Sequence, residues 1–272
     1  MYPLAGFHGE REVVEVDGVR FGDGGFVAIG GPCAIESEEQ IESIASELAA
    51  AGAAMLRGGA YKPRTSPYSF QGLGDEGILL IERAAARVGL PTVVEALAVD
   101  DLPFMAPRVS MIQIGARSMQ NVALLRAAAR TGKPILLKRA PAATLDEVLS
   151  AAEYIMLEGN RAVVLCERGV RGYDPHTRNL LDLAGALRLR ELTSLPVIVD
   201  PSHATGRRSL VAPMALAAAA AGLDGSIVEV HPRPDEARCD SEQAIDPASF
   251  AVLRRQLGAV RDAVKVPLGV GR

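Results

Sequence analysis

The chain is short of lysine: Lys62, Lys133, Lys138 and Lys265 are the only four among 29 basic residues. Two of them fall at the ends of expected strands, as though an ammonium were needed there. The chain also lacks any basic surplus. A net charge of −4 over 272 residues excludes general nucleic-acid or membrane-surface binding, so cationic chemistry must be gathered locally. No apolar run approaches the ~20 residues that span a bilayer, and no charged-then-apolar leader opens the chain. The three cysteines, Cys33, Cys166 and Cys239, are an odd count in a mid-sized chain. That favours reduced thiols in the cytoplasm over a disulfide framework. No C-x-x-C pair marks a local metal site. No G-x-G-x-x-G follows the first apolar run, since Gly30-Gly-Pro-Cys33 does not match it, which disfavours a dinucleotide-binding open sheet.

What is present is a rhythm. From Phe26 onward, short runs rich in Val, Ile and Leu alternate with amphipathic stretches ending in glycine. The runs are Phe26–Gly30, Ala53–Leu56, Thr92–Leu97, Met111–Gly115, Pro134–Lys138, Ala162–Cys166, Pro196–Val199 and Ser226–Val230. Continuous rather than alternating apolar character fits strands buried on both faces of a parallel sheet. Between them, Ser37-Glu-Glu-Gln40 and Thr144-Leu-Asp-Glu147 read as capping boxes. Further helices are expected at about 75–88, 120–131, 180–193, 209–221 and 247–264. Gly52, Gly89, Gly132, Gly159 and Gly222 stand where helices should close. Eight such units predict an α/β fold, a (β/α)8 TIM barrel, in one domain over 1–272. Residues 1–25 form an extension whose Val13-Val-Glu-Val-Asp-Gly18-Val-Arg-Phe21 reads as a hairpin, able to plug a sheet or serve an interface.

In such a barrel the active site gathers at the carboxyl ends of the strands. Those ends carry Cys33, Arg57 with Lys62, Glu95, Arg117, Lys138, Arg168, Asp200 with His203, and Glu229. The loop Arg57-Gly-Gly-Ala-Tyr-Lys62-Pro-Arg64-Thr65-Ser66-Pro67 packs three cations between glycines and prolines, a braced set of donors for an anion. The cations Arg57, Lys62, Arg64, Arg117, Lys138 and Arg168 are enough for two anionic substrates, or for one carrying both phosphate and carboxylate. Cys33, His203, Glu229 and Asp240 mix thiolate, imidazole and carboxylate, which suits a divalent metal such as Mn, Fe, Co or Zn. Cys166 reads as an apolar filler. Cys239 is given no role, and His231 is expected to satisfy a backbone carbonyl.

The motifs Gly31-Pro-Cys33, Arg57-Gly-Gly, Lys62-Pro-Arg-Thr-Ser66, Ile114-Gly-Ala-Arg117, Leu137-Lys-Arg139, Cys166-Glu-Arg-Gly169, Asp200-Pro-Ser-His203 and Glu229-Val-His231 together resemble 3-deoxy-D-arabino-heptulosonate 7-phosphate (DAHP) synthase. More narrowly they resemble its short type I beta form. The resemblance implies condensation of phosphoenolpyruvate with erythrose 4-phosphate and water, at the entry to the shikimate pathway. It implies metal ligation by Cys33, His203, Glu229 and Asp240. Arg57, Lys62 and Lys138 would meet the phosphoenolpyruvate carboxylate; Arg117, Arg168 and the Ala116 backbone would meet its phosphate. Arg64 and Thr65 would hold the phosphate of erythrose 4-phosphate. Lys62 is expected to protonate the developing alkoxide and Glu95 to orient water, with Asp200 grouped beside them. The related octulosonate synthase, using arabinose 5-phosphate, is the enzymatic alternative, and a non-catalytic barrel subunit is the other. The resemblance also implies a homodimer or homotetramer, leaves room for a chorismate mutase partner, and predicts no intrinsic inhibition by Phe or Tyr. The chain departs from the family pattern at Ser118, Ala140, Gly172 and Cys239.

Overall fold

The computed structural model describes residues 2–62 and 66–264. Its first two strands, β1 (Val14–Val16) and β2 (Val19–Phe21), pair antiparallel around Asp17-Gly18, as the hairpin signal predicts. Eight parallel strands follow: β3 (Val27–Gly31), β4 (Met55–Gly58), β5 (Thr92–Ala96), β6 (Met111–Ile114), β7 (Ile135–Lys138), β8 (Val163–Glu167), β9 (Val197–Val199) and β10 (Gly225–Glu229). They close in chain order, with β10 pairing both β9 and β3, so this sheet has no free edge. All eight expected strands form, within two residues of their expected bounds.

Helices α1 (Glu38–Ala50), α2 (Asp75–Val88), α3 (Leu102–Met105), α4 (Val122–Arg130), α5 (Leu145–Met156), α6 (Leu183–Leu192), α7 (Pro201–Thr205), α8 (Arg208–Ala220) and α9 (Pro247–Val264) surround the barrel. Neither α3 nor α7 was anticipated, because each is too short to show a periodic pattern. At α5 the capping box is complete: Glu147 N–H donates to Thr144 Oγ1 at 3.2 Å and Thr144 N–H donates to Glu147 Oε2 at 2.7 Å. At α1 it is only half formed. Gln40 N–H donates to Ser37 Oγ, but the Gln40 side chain accepts from Glu36 N–H at 3.0 Å, one residue earlier than a box requires.

The barrel interior is built in two layers that follow from strand alternation. Ile29, Met55, Val93, Met111, Leu136, Val164, Ile198 and Ile227 form one apolar cluster with Val14, Val16 and Phe21 of the hairpin. The hairpin therefore plugs the amino-terminal end with Val14, Val16 and Phe21, while Val13 remains exposed. Two residues further along each strand, on the same face, stand Gly31, Arg57, Glu95, Gln113, Lys138, Cys166, Asp200 and Glu229. The opposite face of the strands, including Leu56, Val94, Ile112, Leu137, Leu165 and Val199, packs against the helices in the main core.

Candidate active site and metal centre

The upper layer consists largely of charge that should not survive burial alone. Arg57 and Lys138 are each 3% exposed, and Asp200 and Glu229 each 1%. Pairing resolves it: Arg57 Nη1 lies 2.8 Å from Glu229 Oε1, and Lys138 Nζ lies 2.5 Å from Asp200 Oδ2. Gln113 Nε2 donates to Glu95 Oε2 at 3.0 Å. Gly31 is required below these groups, since a Cβ there would stand 1.9 Å from the Arg57 carbonyl oxygen. Gly115 is required above them, because a Cβ would meet Glu95 Oε1 at 1.8 Å.

Asp200-Pro-Ser-His203 is a compact local device. Asp200 caps α7, accepting the His203 N–H on Oδ1 at 2.9 Å, with Pro201 at the first helical position. Its Oδ2 holds His203 Nδ1 at 2.7 Å, which leaves Nε2 directed away as a ligand. Burial raises the Asp200 pKa, but His203 and Lys138 together hold it well below the ordinary carboxylate value. Asp200 stands behind the cavity wall, where it holds both His203 and Lys138.

Above His203 the four expected metal ligands converge. One ligand atom from each of Cys33, His203, Glu229 and Asp240 lies within 4.8 Å of all the others. Cys33 Sγ is 3.1 Å from Asp240 Oδ2, and His203 Nε2 is 3.1 Å from Glu229 Oε1 and 3.9 Å from Asp240 Oδ2. One sulfur, one imidazole nitrogen and two carboxylates at these separations fit the first shell of a transition-metal dication. Supporting bonds run from His203 Nδ1 to Asp200, from Arg57 to Glu229, and from Gln243 Nε2 to Glu229 Oε2 at 2.5 Å. Despite burial, His203 and Arg57 lower the Glu229 pKa; His203, the Cys33 hydrogen bond and Arg178 lower that of Asp240. Both carboxylates are thus poised as anions. Lys62 Nζ sits 3.0 Å from Cys33 Sγ; burial works against its charge, but Cys33, Cys239 and Glu95 raise its pKa and keep it an ammonium.

Over this group opens a cavity of about 470 Å³ at the carboxyl end of the barrel. Lys62, Glu95, Ala116, Arg117, Lys138, Arg168, His203 and Asp240 line it, as expected. Ala116 and Arg117 sit on a single 3₁₀ turn, Ala116–Ser118, directly after β6. Lys62 is held by a bridge between Tyr61 and Gly72 and by its own N–H to the Gln71 carbonyl, which ties the start of the loop after β4 to its end. Arg57 does not line the cavity; it stands behind Glu229. Arg64 and Thr65 lie outside the described residues.

Two expectations fail. Cys239 is not neutral: its Sγ is 3.2 Å from Cys33 Sγ, and it lines the cavity. The order of the chain separates the two by 206 residues, so nothing local announced the contact. His231 does not satisfy a carbonyl; its Nδ1 accepts from Arg233 N–H at 3.1 Å, which puts the ring proton on Nε2, 3.7 Å from Glu36 Oε2. Cys166 is the apolar filler anticipated: it stands in the upper layer and packs down onto the apolar lower one. Three supporting residues were missed. Gln113 follows Met111 by the same two-residue step that places Glu95 after Val93, and that signal could have found it. Arg178, 3.0 Å from Asp240 Oδ1, and Gln243 arrive from long loops and carried no such signal.

Similarity to known proteins agrees with this geometry. The family described as "DAHP synthetase I family" matches residues 10–265. A Thermotoga maritima protein named phospho-2-dehydro-3-deoxyheptonate aldolase is 46% identical over 260 residues, covering 96% of this chain and 77% of that protein. A 2-dehydro-3-deoxyphosphooctonate aldolase from Magnetococcus marinus is 32% identical over 267 residues, covering 91% and 92%. The crystal structure of the Thermotoga maritima DAHP synthase superposes with a TM-score of 0.94 over 97% of this chain and 78% of that one, at 46% identity. A truncated form of the Thermotoga maritima enzyme gives 0.90, over 97% of each chain, at 42% identity. With a matched span from near the hairpin to the end of α9, and with the barrel in common, this chain belongs to the DAHP synthetase I family.

Proposed function

We propose that the chain is a metal-dependent transferase that condenses phosphoenolpyruvate with erythrose 4-phosphate and water, giving DAHP and inorganic phosphate at the entry to the shikimate pathway. The observation that carries this reading is a four-donor group, two of whose members, His203 and Asp240, line the same cavity as the cations Lys62, Arg117, Lys138 and Arg168.

In the reaction C3 of the enolpyruvyl group bonds to the aldehyde carbon, and water adds at C2 before phosphate leaves. Two polyanionic substrates repel each other, so a cationic lining is needed to hold them at reacting distance. Lys138 receives the phosphoenolpyruvate carboxylate, with Arg57 acting from behind through Glu229. Arg117, Arg168 and the Ala116 backbone take its phosphate, and Arg64 and Thr65 take that of the aldehyde. Lys62, an ammonium beside the donor group, gives its proton to the alkoxide. Glu95, fixed by Gln113, orients the water. Cys33, His203, Glu229 and Asp240 would hold Mn, Fe, Co or Zn, which when bound supplies Lewis-acid polarisation of the aldehyde carbonyl.

Residues 1–272 form a single domain in this reading, with 1–25 as its hairpin extension. It works in the cytoplasm as a homodimer or homotetramer, with chorismate mutase as the candidate protein partner. No helix among the described residues is long and apolar enough to cross a membrane. Phosphate release from phosphoenolpyruvate tests the assignment. It should require erythrose 4-phosphate, stop with chelator and return with divalent metal. Equal turnover with arabinose 5-phosphate, or indifference to chelator, would overturn it.

A further inference from the structure

Two of the four cation donors, His203 and Glu229, are set by regular structure, on α7 and at the end of β10. The other two ride on loops, Cys33 between β3 and α1 and Asp240 between β10 and α9. Asp240 also has a φ of 54°, a left-handed backbone that an L-residue keeps only where its surroundings enforce it. One restraint comes from the Cys33 loop. Glu36 Oε1 accepts at 2.8 Å from the N–H of Arg238, which is 202 residues away in sequence and two before Asp240. Glu36 Oε2 faces His231 Nε2 at 3.7 Å, and that buried nitrogen has no hydrogen-bond partner of its own. Glu36 is itself firmly seated. Its N–H donates to Gln40 Oε1 at 3.0 Å, and Gln40, buried in the first turn of α1, donates from Nε2 to the Ala34 carbonyl at 3.1 Å. On the other side the Arg238 guanidinium lies 3.9 Å from the centre of the Phe70 ring, which packs against Cys33, Ala34 and Cys239.

We propose that Glu36 is a positioning residue for the cation site: by holding the Arg238 N–H it fixes the loop that presents Asp240 to Cys33, His203 and Glu229. Glu36 is not one of the four donors, and it acts on them through the backbone of its partner loop. Arg178 restrains the Asp240 side chain at Oδ1, whereas Glu36 restrains the main chain that carries it. The 3.1 Å between Cys33 Sγ and Asp240 Oδ2 is set by where the two loops meet, and the Glu36 bond is a strut between them. A carboxylate makes that strut stronger than a neutral acceptor would, because a charge-assisted bond to a backbone N–H is shorter and tighter. Without it Asp240 can relax out of its left-handed backbone. The donors must then be reassembled at each binding event, which costs affinity. The bond between the loops stands apart from the proposed function, whereas its effect on cation binding rests on that reading.

The test uses the full chain, reduced and stripped with chelator. In calorimetric titration with Zn²⁺, Glu36→Ala should bind roughly 10–100-fold more weakly than the parent. Glu36→Gln keeps an oxygen for the Arg238 N–H and should stay within about threefold, since a neutral acceptor still makes that bond. Hydrogen exchange of the cation-free proteins should run about tenfold faster at the Arg238 amide in Glu36→Ala, with α1 and β10 unchanged. That locality separates positioning from a general loss of stability, which would speed exchange throughout and lower the urea midpoint. Turnover that Glu36→Ala loses at limiting Zn²⁺ should return at excess, with the KM for phosphoenolpyruvate near the parent value. Equal Zn²⁺ affinity in Glu36→Ala and the parent, equal weakness in both variants, or an unchanged Arg238 amide overturns the proposal. Failure of the reduced parent to bind Zn²⁺ instead sinks the metal reading, while exchange at Arg238 still decides whether Glu36 holds the loop.

Discussion

The two ends of this barrel are made from the same strands and obey opposite rules. At the amino-terminal end, Ile29, Met55, Val93, Met111, Leu136, Val164, Ile198 and Ile227 fill the interior beneath a hairpin plug. Two residues along, the same inward face carries Arg57, Glu95, Lys138, Asp200 and Glu229. The lower layer stabilises by removing apolar surface from water. Burial penalises the charges of the upper layer, and it holds only because each buried charge has a partner at hydrogen-bonding distance. A closed barrel thus separates stability from chemistry by a single step of the strand repeat.

That contrast can be broken most severely at Asp200. Asp200→Asn strands the Lys138 ammonium and releases the His203 ring. Stability should drop by about 3–5 kcal/mol in urea unfolding, and cation affinity should fall by roughly 10–100-fold in metal titration. The double replacement Lys138→Met with Asp200→Leu should recover much of the stability and none of the turnover. On the opposite end, Phe21→Ala should cost about 3 kcal/mol by cavity formation. Its cation affinity and kcat at low temperature should stay close to the parent's. If both fall together, the two layers are not separable.

Smaller effects sharpen the comparison. Gln243, fully buried, supports Glu229 without touching the cavity. Gln243→Leu should weaken cation binding by about tenfold while leaving the KM for phosphoenolpyruvate near the parent value. Acid unfolding of the chelator-stripped protein reports on the paired carboxylates. Asp200 and Glu229 have folded pKa values below their ordinary 3.8 and 4.5. Their stabilisation is therefore complete above those values and is lost as pH falls through the lower folded ones. Asp200→Asn should flatten the stability curve in that acid range; an unchanged curve refutes the depressed pKa. At the mild end, Thr144→Ala should cost about 1 kcal/mol, the usual worth of a helix cap, with no change in turnover.

Much of this was legible in the linear chain, for identifiable reasons. The eight strands announced themselves because parallel strands covered on both faces need uninterrupted apolar runs, and the helices because they are amphipathic and end in glycine. Cys33, His203 and Glu229 were found because they follow strands directly, and strand ends meet at one mouth. Gln113 was within reach of the same alternation. Cys239, Arg178 and Gln243 were not, since each joins the site through a loop whose path no periodicity encodes. Arg57 was found, but its partner was not: the buried Glu229 that it pairs with comes from the far end of the chain.

By itself the sequence determined the order of strands and helices and the inventory of cations, because those depend on local spacing and residue type; the four candidate cation donors came from residue chemistry and from the family resemblance, not from spacing. Only the tertiary structure decided which charges neutralise each other, which face the cavity, and that two sulfurs 206 residues apart come into contact. Those outcomes depend on distances across the closed barrel, and such distances are set by packing rather than by position along the chain.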